Sequence, residues 1–278
     1  MSSTTSSAIS AKTLEGNRLL ALLSPETRRQ MLPALKLIDF EMSHQLYEPT
    51  QPIRHVYFPL TAVTSVLNEM EDGTTVEVAT IGREGMVGLA IFLGDELTFL
   101  RCIAQIPGMA LSMEREAFLD IVNNRQNGLQ AILLRYTQAL FSQLAQQSAC
   151  NRSHNMEERC ARWILMTHDR VEQDEFPLTQ EFLAYMLGSR RSSVTIAAGI
   201  LATAGLIYYS RGKIQVLDRA RLEEASCECY GVIQREYERL IGKDAGGGVT
   251  IPMKQRKPRP FSRTELSRTV QFVYSVPG

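Results

Sequence analysis

The sequence predicts an α+β protein in three parts: an N-terminal roll of short β-strands, one long helix, and two short helices followed by a β-hairpin. Three observations carry this expectation. Between residues 37 and 113 short apolar runs recur between turns rich in Pro and Gly, the spacing of a small barrel or roll. Across residues 129–148, Leu129, Ile132, Leu133, Tyr136, Leu140 and Leu144 form one apolar stripe at helical spacing. Finally, residues 179–217 place two short helical patterns about Gly188 and end in a strand–turn–strand.

Composition bounds the function without choosing it. A chain of 278 residues can bury two modest cores, and 44% hydrophobic with 22% charged residues is ordinary for a soluble protein. The formal net charge is zero, so any affinity for nucleic acid must come from a local basic surface. The five cysteines are odd in number and mostly sit in strand- or helix-like segments, which points to a reducing cytoplasm rather than a disulfide scaffold. Residues 1–10 are Ser/Thr-rich, with neither a basic start nor an apolar stretch, so no signal peptide is expected. The most apolar segment, 196–209, is too short to span a bilayer, and no membrane partner is expected.

Taken in order, residues 14–23 carry apolar side chains at helical spacing, and Ser24-Pro25 reads as the cap and first turn of the next helix. Residues 56–58 and 62–70 are strand-like, and Glu71-Asp72-Gly73 supplies the turn to a return strand at 75–81. A Gly-rich piece at 82–94 breaks the pattern before strands at 100–106 and 109–113 meet around Pro107-Gly108. Helices are expected at 114–122, 129–148 and 159–170, the second with its apolar stripe as a two-helix dimer seam. From Lys243 onward the chain holds seven basic residues against two acidic ones and includes a Gly246-Gly247-Gly248 linker, and it is expected to be a disordered basic tail.

The segment from 177 onward is the most informative. Thr179 caps a short helix whose apolar face is Phe182, Leu183, Met186 and Leu187, and Gly188 falls where the turn needs a positive φ. Ser189 then reads as the cap of a second helix with an inner face of Val194, Ala197, Ala198 and Leu201. This is the pattern of a helix-turn-helix, and the hairpin after it, turning at Ser210-Arg211-Gly212-Lys213, reads as a wing. The DNA-facing candidates are Thr179, Gln180, Ser189, Arg190, Arg191, Ser192, Ser193 and Thr195, with Arg211 and Lys213 at the wing tip. An Arg fork can donate to guanine O6 and N7 together, and hydroxyls with helix N-termini suit phosphate oxygens. From 179 to 217 four basic residues stand against the single acid Glu181, all on the two elements expected to face DNA.

At these residues the chain resembles the Crp/Fnr family, the cyclic-AMP receptor protein and its relatives. The stretches Leu178-Thr179-Gln180-Glu181-Phe182-Leu183-Ala184 and Gly188-Ser189-Arg190-Arg191-Ser192-Ser193-Val194 look like that family's helix-turn-helix, and Gly205-Leu206-Ile207 is similar to the start of its wing. The resemblance spans residues 14 to 230. It implies a cyclic-nucleotide-binding-like jelly roll, a dimerisation helix and a winged helix-turn-helix, acting as a homodimer on a roughly palindromic site of double-stranded DNA. An unknown small-molecule effector and RNA polymerase are the further partners it brings. By position Arg191 resembles the family's base-reading Arg, whereas Ser192 and Ile196 depart from the residues frequent beside it.

The domain boundaries read this way are a disordered N-terminus (1–12), a β-roll effector-type domain (13–126), the dimerisation helix (127–152), the winged helix-turn-helix (153–242) and the tail (243–278). The candidate effector pocket comprises Gly85, Met86, Gly88, Arg101 and Cys102. Met86 stands where the family places a Glu on the ribose, and a thioether cannot accept the ribose hydroxyls as a carboxylate does, so cyclic AMP is not expected. No cofactor is expected either. Cys227-Glu228-Cys229 is a lone pair in sequence, His44, His55, His154 and His168 form no local ligand pair, and no metal site is expected. No catalytic grouping or phosphate loop appears, so an enzyme is not expected. The alternative to a DNA-binding regulator is a β-roll ligand- or protein-binding module whose helical domain contacts protein.

Overall fold

The computed structural model describes residues 9–171 and 173–242, so the basic tail and residues 1–8 lie outside the described residues. The chain opens with two single turns, α1 (Ala11–Leu14) and α2 (Arg18–Ala21). The first corrects the expected disorder up to residue 12, because Ser10 and Thr13 cap each other's backbone. The second corrects the continuous helix expected across 14–23, and Asn17 is the reason. Its fully buried Oδ1 accepts from the N–H groups of Leu19 and Leu20, while its Nδ2 donates to the carbonyls of Pro59 and Gly85 at 3.0 and 2.9 Å. A side chain satisfying four buried backbone groups staples this break to the roll. Then α3 (Pro25–Met31) starts as expected, with Ser24 accepting from Thr27 N.

The roll is built from β1 (Leu35–Phe40), β2 (Gln45–Tyr47), β3 (His55–Pro59), β4 (Val63–Glu69), β5 (Thr75–Ile81), β6 (Arg101–Ile106) and β7 (Gly108–Glu114). All pairs are antiparallel, in sheets of order β1-β7-β3 and β2-β6-β4-β5. The β4–β5 turn uses Gly73 at φ 80°, and Asp72 accepts from Thr74 N, which lowers its carboxyl pKa. The Gly-rich break holds a short helix, α4 (Leu89–Leu93), bracketed by Gly88 and Gly94 at φ 89° and 100°. Only glycine takes that conformation without strain.

After α5 (Arg115–Asn123) comes the long helix α6 (Leu129–Ser153). Here four of the six residues of the expected dimer seam are corrected, while Leu140 is half-buried and Leu144 exposed. Leu129, Ile132, Leu133 and Tyr136 are buried in their own fold beside Met86, Leu111 and Phe118, so they cannot meet a partner. Ala131, Leu134, Gln138, Phe141, Ala145 and Ser148 are exposed instead, at alternating spacings of three and four. Leu134 is 57% and Phe141 67% exposed.

The C-terminal half consists of α7 (Met156–Val171), β8 (Glu175–Pro177), α8 (Gln180–Leu187), α9 (Arg191–Thr203), β9 (Ile207–Ser210), β10 (Lys213–Val216), α10 (Arg219–Ala225) and α11 (Cys229–Ile241). The three strands form a sheet of order β8-β10-β9. Burying Tyr230, Ile233, Tyr237, Leu240 and Ile241, α11 packs along α6. This half is also fastened to the roll. Trp163 Nε1 donates to Glu77 Oε1 at 2.8 Å, where Gln147 of α6 also donates from Nε2 to the Glu77 carbonyl at 2.8 Å. Arg170 pairs with Glu84 at 2.7 Å and donates to the Thr80 carbonyl. Glu77 is fully enclosed; burial raises its pKa, against hydrogen bonds from Ser65, Thr80 and Trp163 and the charge of Arg170. No helix among the described residues is long and apolar enough to cross a membrane.

Candidate nucleic-acid interface

Local sequence sets the geometry of α8 and α9. Thr179 sits extended, and its Oγ1 accepts from Phe182 N at 3.1 Å, which starts α8. At the far end Gly188 takes φ 56° and returns its N–H to α8, so the chain turns at once into α9. One detail is corrected: Ser189 does not cap α9. The N-cap is Arg190, with extended backbone and no capping side chain, and Arg191 is the first helical residue. Val194, Ala197, Ala198 and Leu201 are buried against α7 and α8, the small residues permitting the close crossing.

The opposite face of α9 is open. Arg190, Arg191, Ser192 and Thr195 are exposed, and Ser193 is half-buried. Thr195 Oγ1 lies 2.9 Å from both Gln180 Oε1 and the Arg191 carbonyl, which fixes Gln180 against the recognition face. Two apolar side chains that the sequence reading did not assign also stand there, Ile196 at 63% and Ile200 at 48% exposure. The signal was present: both fall off the buried positions 194, 197, 198 and 201.

In the wing, Arg211 and Gly212 have φ of 48° and 75°, the two positive values of a tight hairpin turn. Tyr209 OH donates to the Leu178 carbonyl at 2.6 Å and Leu178 N to the Gly212 carbonyl at 2.8 Å, strapping the wing to the start of α8. Arg211 is exposed at the tip. Lys213 is exposed as well, but its Nζ pairs with Glu175 Oε1 at 2.6 Å. This carboxylate lies on β8, before the 179–217 segment in which Glu181 is the single acid. So exposed a pair costs little to open.

The candidate effector residues are filled or paired. Met86 and Cys102 have no solvent access, and burial pushes the Cys102 thiol up to about 12. Tyr136 from α6 lies so close to Gly85 that a Cβ there would stand 2.5 Å from its Oη, and that hydroxyl donates to the Met86 carbonyl at 3.1 Å. Gly85 therefore serves packing against Tyr136. Gly88 packs as closely on β3, where a Cβ would stand 3.1 Å from the His55 carbonyl. Arg101 is held by Glu48 at 3.0 Å and Glu69 at 3.3 Å. A crevice of about 430 Å³ lies elsewhere, between α7 and α11, lined by Arg18, Arg83, Asp169, Tyr230 and Arg235 among others.

The expectation of no metal-ligand set also meets a different geometry. Cys150 and His154, at the end of α6, come together with Cys227 and Cys229, and their ligand atoms all lie within 4.8 Å of one another. The Cys-x₃-His spacing on a helix was the sequence signal; its partners lie more than 70 residues away.

Comparison with known proteins agrees with this architecture. A cyclic nucleotide-binding domain family matches residues 37–125, and a Crp-like helix-turn-helix domain family matches residues 158–225. Among solved structures, FixK2 from Bradyrhizobium japonicum superposes with a TM-score of 0.59 at 16% identity, covering 69% of this chain and 98% of its own. A putative transcriptional regulator of the Crp/Fnr family from Eubacterium rectale gives 0.57 at 17% identity, with coverage of 80% and 99%. The c-di-GMP responsive global regulator CLP of Xanthomonas campestris gives 0.55 at 12%, with coverage of 69% and 99%. At such identities the likeness is one of fold. A search of curated proteins by sequence finds no match. With a cyclic nucleotide-binding-like domain followed by a Crp-like helix-turn-helix domain, the chain belongs to the Crp/Fnr family of DNA-binding transcription regulators.

Proposed function

We propose that the protein is a cytoplasmic, sequence-specific transcription regulator that grips a roughly palindromic operator as a homodimer. The observation that carries this reading is the open face of α9. Arg190, Arg191, Ser192 and Thr195 stand beside Ile196 and Ile200, and the wing tipped by Arg211 follows α9 directly in the chain. In this reading Arg191 addresses a guanine edge, and the two isoleucines address thymine methyl groups, the apolar feature of the major groove. The uncapped start of α9, with Arg190, Ser193 and Arg211, holds phosphate oxygens. The wing lysine, Lys213, exchanges Glu175 for a phosphate on binding.

The homodimer is supported by the exposed stripe on α6. From 131 to 148 its spacing is that of a two-helix seam, and no charged residue lies on it. Two copies related by a two-fold axis along this seam present two recognition helices, which is why a palindrome is proposed. Control by a small-molecule effector belongs to the same reading. The filled interior around Met86 and Tyr136 argues against cyclic AMP, and the crevice between α7 and α11 is the place proposed for another ligand. The test is binding of a selected operator by Arg191→Ala, measured against single-base variants of that operator. A loss confined to one base position supports the assignment; undiminished discrimination at every position removes Arg191 as a reader.

A further inference from the structure

We propose that Cys150, His154, Cys227 and Cys229 bind one zinc ion in a closed tetrahedral site that locks the end of α6 to the α10–α11 junction. Three thiolates and an imidazole are an established structural zinc set, with Zn–S of about 2.3 Å and Zn–N of about 2.0–2.1 Å. Those bond lengths place the four ligand atoms of a tetrahedron about 3.5–3.8 Å apart. Here Cys150 Sγ lies 3.5 Å from Cys227 Sγ, His154 Nδ1 lies 3.5 Å from Cys229 Sγ, and all four atoms fall within 4.8 Å. That is the span of a single ion. An iron–sulfur cubane binds each thiolate to a different iron and needs its sulfurs farther apart.

The surroundings fit the same ion. His154 Nε2 lies 3.1 Å from Glu228 Oε2, the carboxylate–histidine arrangement that orients a zinc-binding ring, and it leaves Nδ1 toward the sulfurs. Gln146 Nε2 donates to Cys229 Sγ at 3.0 Å, as it would to a thiolate. Three thiolates around Zn²⁺ carry a net charge of −1. Arg162 supplies the opposite charge: it is buried, its Nη1 meets only the Met166 sulfur at 3.2 Å, and among the described residues no carboxylate pairs with it. A buried guanidinium without an anion is costly, and an anionic zinc centre beside it answers that cost. The three cysteines are buried in a small cluster of their own, so no coordination position opens to solvent for catalysis.

On binding, three thiols release their protons to solvent as three Zn–S bonds form, neutral His154 contributes its Nδ1 lone pair, and nothing is oxidised or reduced. The result is a clip between residues about 75 apart in sequence. It sets how α11, and with it the helix-turn-helix, is held against the dimerisation helix.

The test is the metal content of the full-length protein after dialysis, together with the absorption spectrum after cobalt(II) replacement. The expected result is about one zinc per chain, and a tetrahedral cobalt spectrum with sulfur-to-metal charge transfer. Cys229→Ser should lose the ion or weaken its binding at least tenfold. A double Cys102→Ser, Cys160→Ser variant should keep it. Because Cys229→Ser could fail to fold, the cobalt spectrum of the unmodified chain decides alone. A metal-free protein with no cobalt spectrum, a Cys150–Cys227 disulfide found by mass spectrometry, or stoichiometric iron with sulfide would each overturn the proposal. None of these readouts involves DNA, so the site and the DNA-binding reading stand or fall separately.

Discussion

Replacing Phe141 with Ala tests the proposal that the exposed stripe of α6 is a dimer seam. Two-thirds of the Phe141 side chain is open to solvent in the single chain, so its removal leaves the core of that chain untouched. Burying a large apolar side chain contributes about 1.5–3 kcal/mol, so the exposed part of Phe141 is worth roughly 1–2 kcal/mol at each copy. A two-fold seam counts it twice. The dimer should weaken by about 2–4 kcal/mol, a rise of roughly 30- to 1000-fold in dissociation constant. Monomer stability should move by no more than about 0.5 kcal/mol, as for a surface substitution. Leu133→Ala is the control on the buried face. Leu133 is inaccessible within its own chain, and its truncation should cost the fold about 2–5 kcal/mol. Sedimentation equilibrium across protein concentration reads the first effect, and denaturant unfolding of each variant reads the second. A Phe141→Ala protein that dimerises like the parent, or one that loses fold stability as Leu133→Ala does, would refute the assignment of the seam.

The joint between roll and helix-turn-helix gives a pH prediction. Burial raises the folded-state pKa of Glu77, so its contribution is full below the unfolded carboxyl pKa and is lost as pH rises through the folded value. Glu77→Gln keeps an acceptor for Trp163 but cannot ionise. The melting temperature of the parent should therefore fall relative to the variant as pH climbs above the ordinary carboxyl range, and parallel curves would rule the effect out. Trp163 is the only tryptophan, so its fluorescence follows the same titration. Arg170→Ala leaves Glu84 buried without its cation and should cost about 3–5 kcal/mol in chemical unfolding, since the pair is largely enclosed. Arg191→Ala should cost about 1–3 kcal/mol at one base position of the operator while leaving the fold unchanged, and competition binding against base variants measures it.

Local chemistry made much of this fold legible. Asp72-Gly73, Thr179, Gly188 and Arg211-Gly212 each impose a turn or cap through their own backbone, and each stands where its residue type requires. Tertiary partners decided the rest. Asn17 breaks a helix because two carbonyls of the roll wait for its amide, which nothing near it in sequence announces. On α6, Leu133 neighbours Leu134 and Leu140 neighbours Phe141, so apolar residues lie on two faces, and periodicity alone could not say which faces inward. What fixes the inward face is the contact of Leu129, Ile132, Leu133 and Tyr136 with the core around Met86, Leu111 and Phe118. The cysteine and histidine cluster stayed hidden because its two halves meet only when α11 folds back along α6.

The central claim is tested most directly by selecting bound sequences from a random pool of duplex DNA with the purified full-length protein, at two salt concentrations. A two-fold-symmetric motif, bound more weakly at the higher salt as counterion release requires, is the predicted result. An asymmetric motif, or binding indifferent to both sequence and salt, would contradict a dimeric regulator that reads DNA through α9 and its wing.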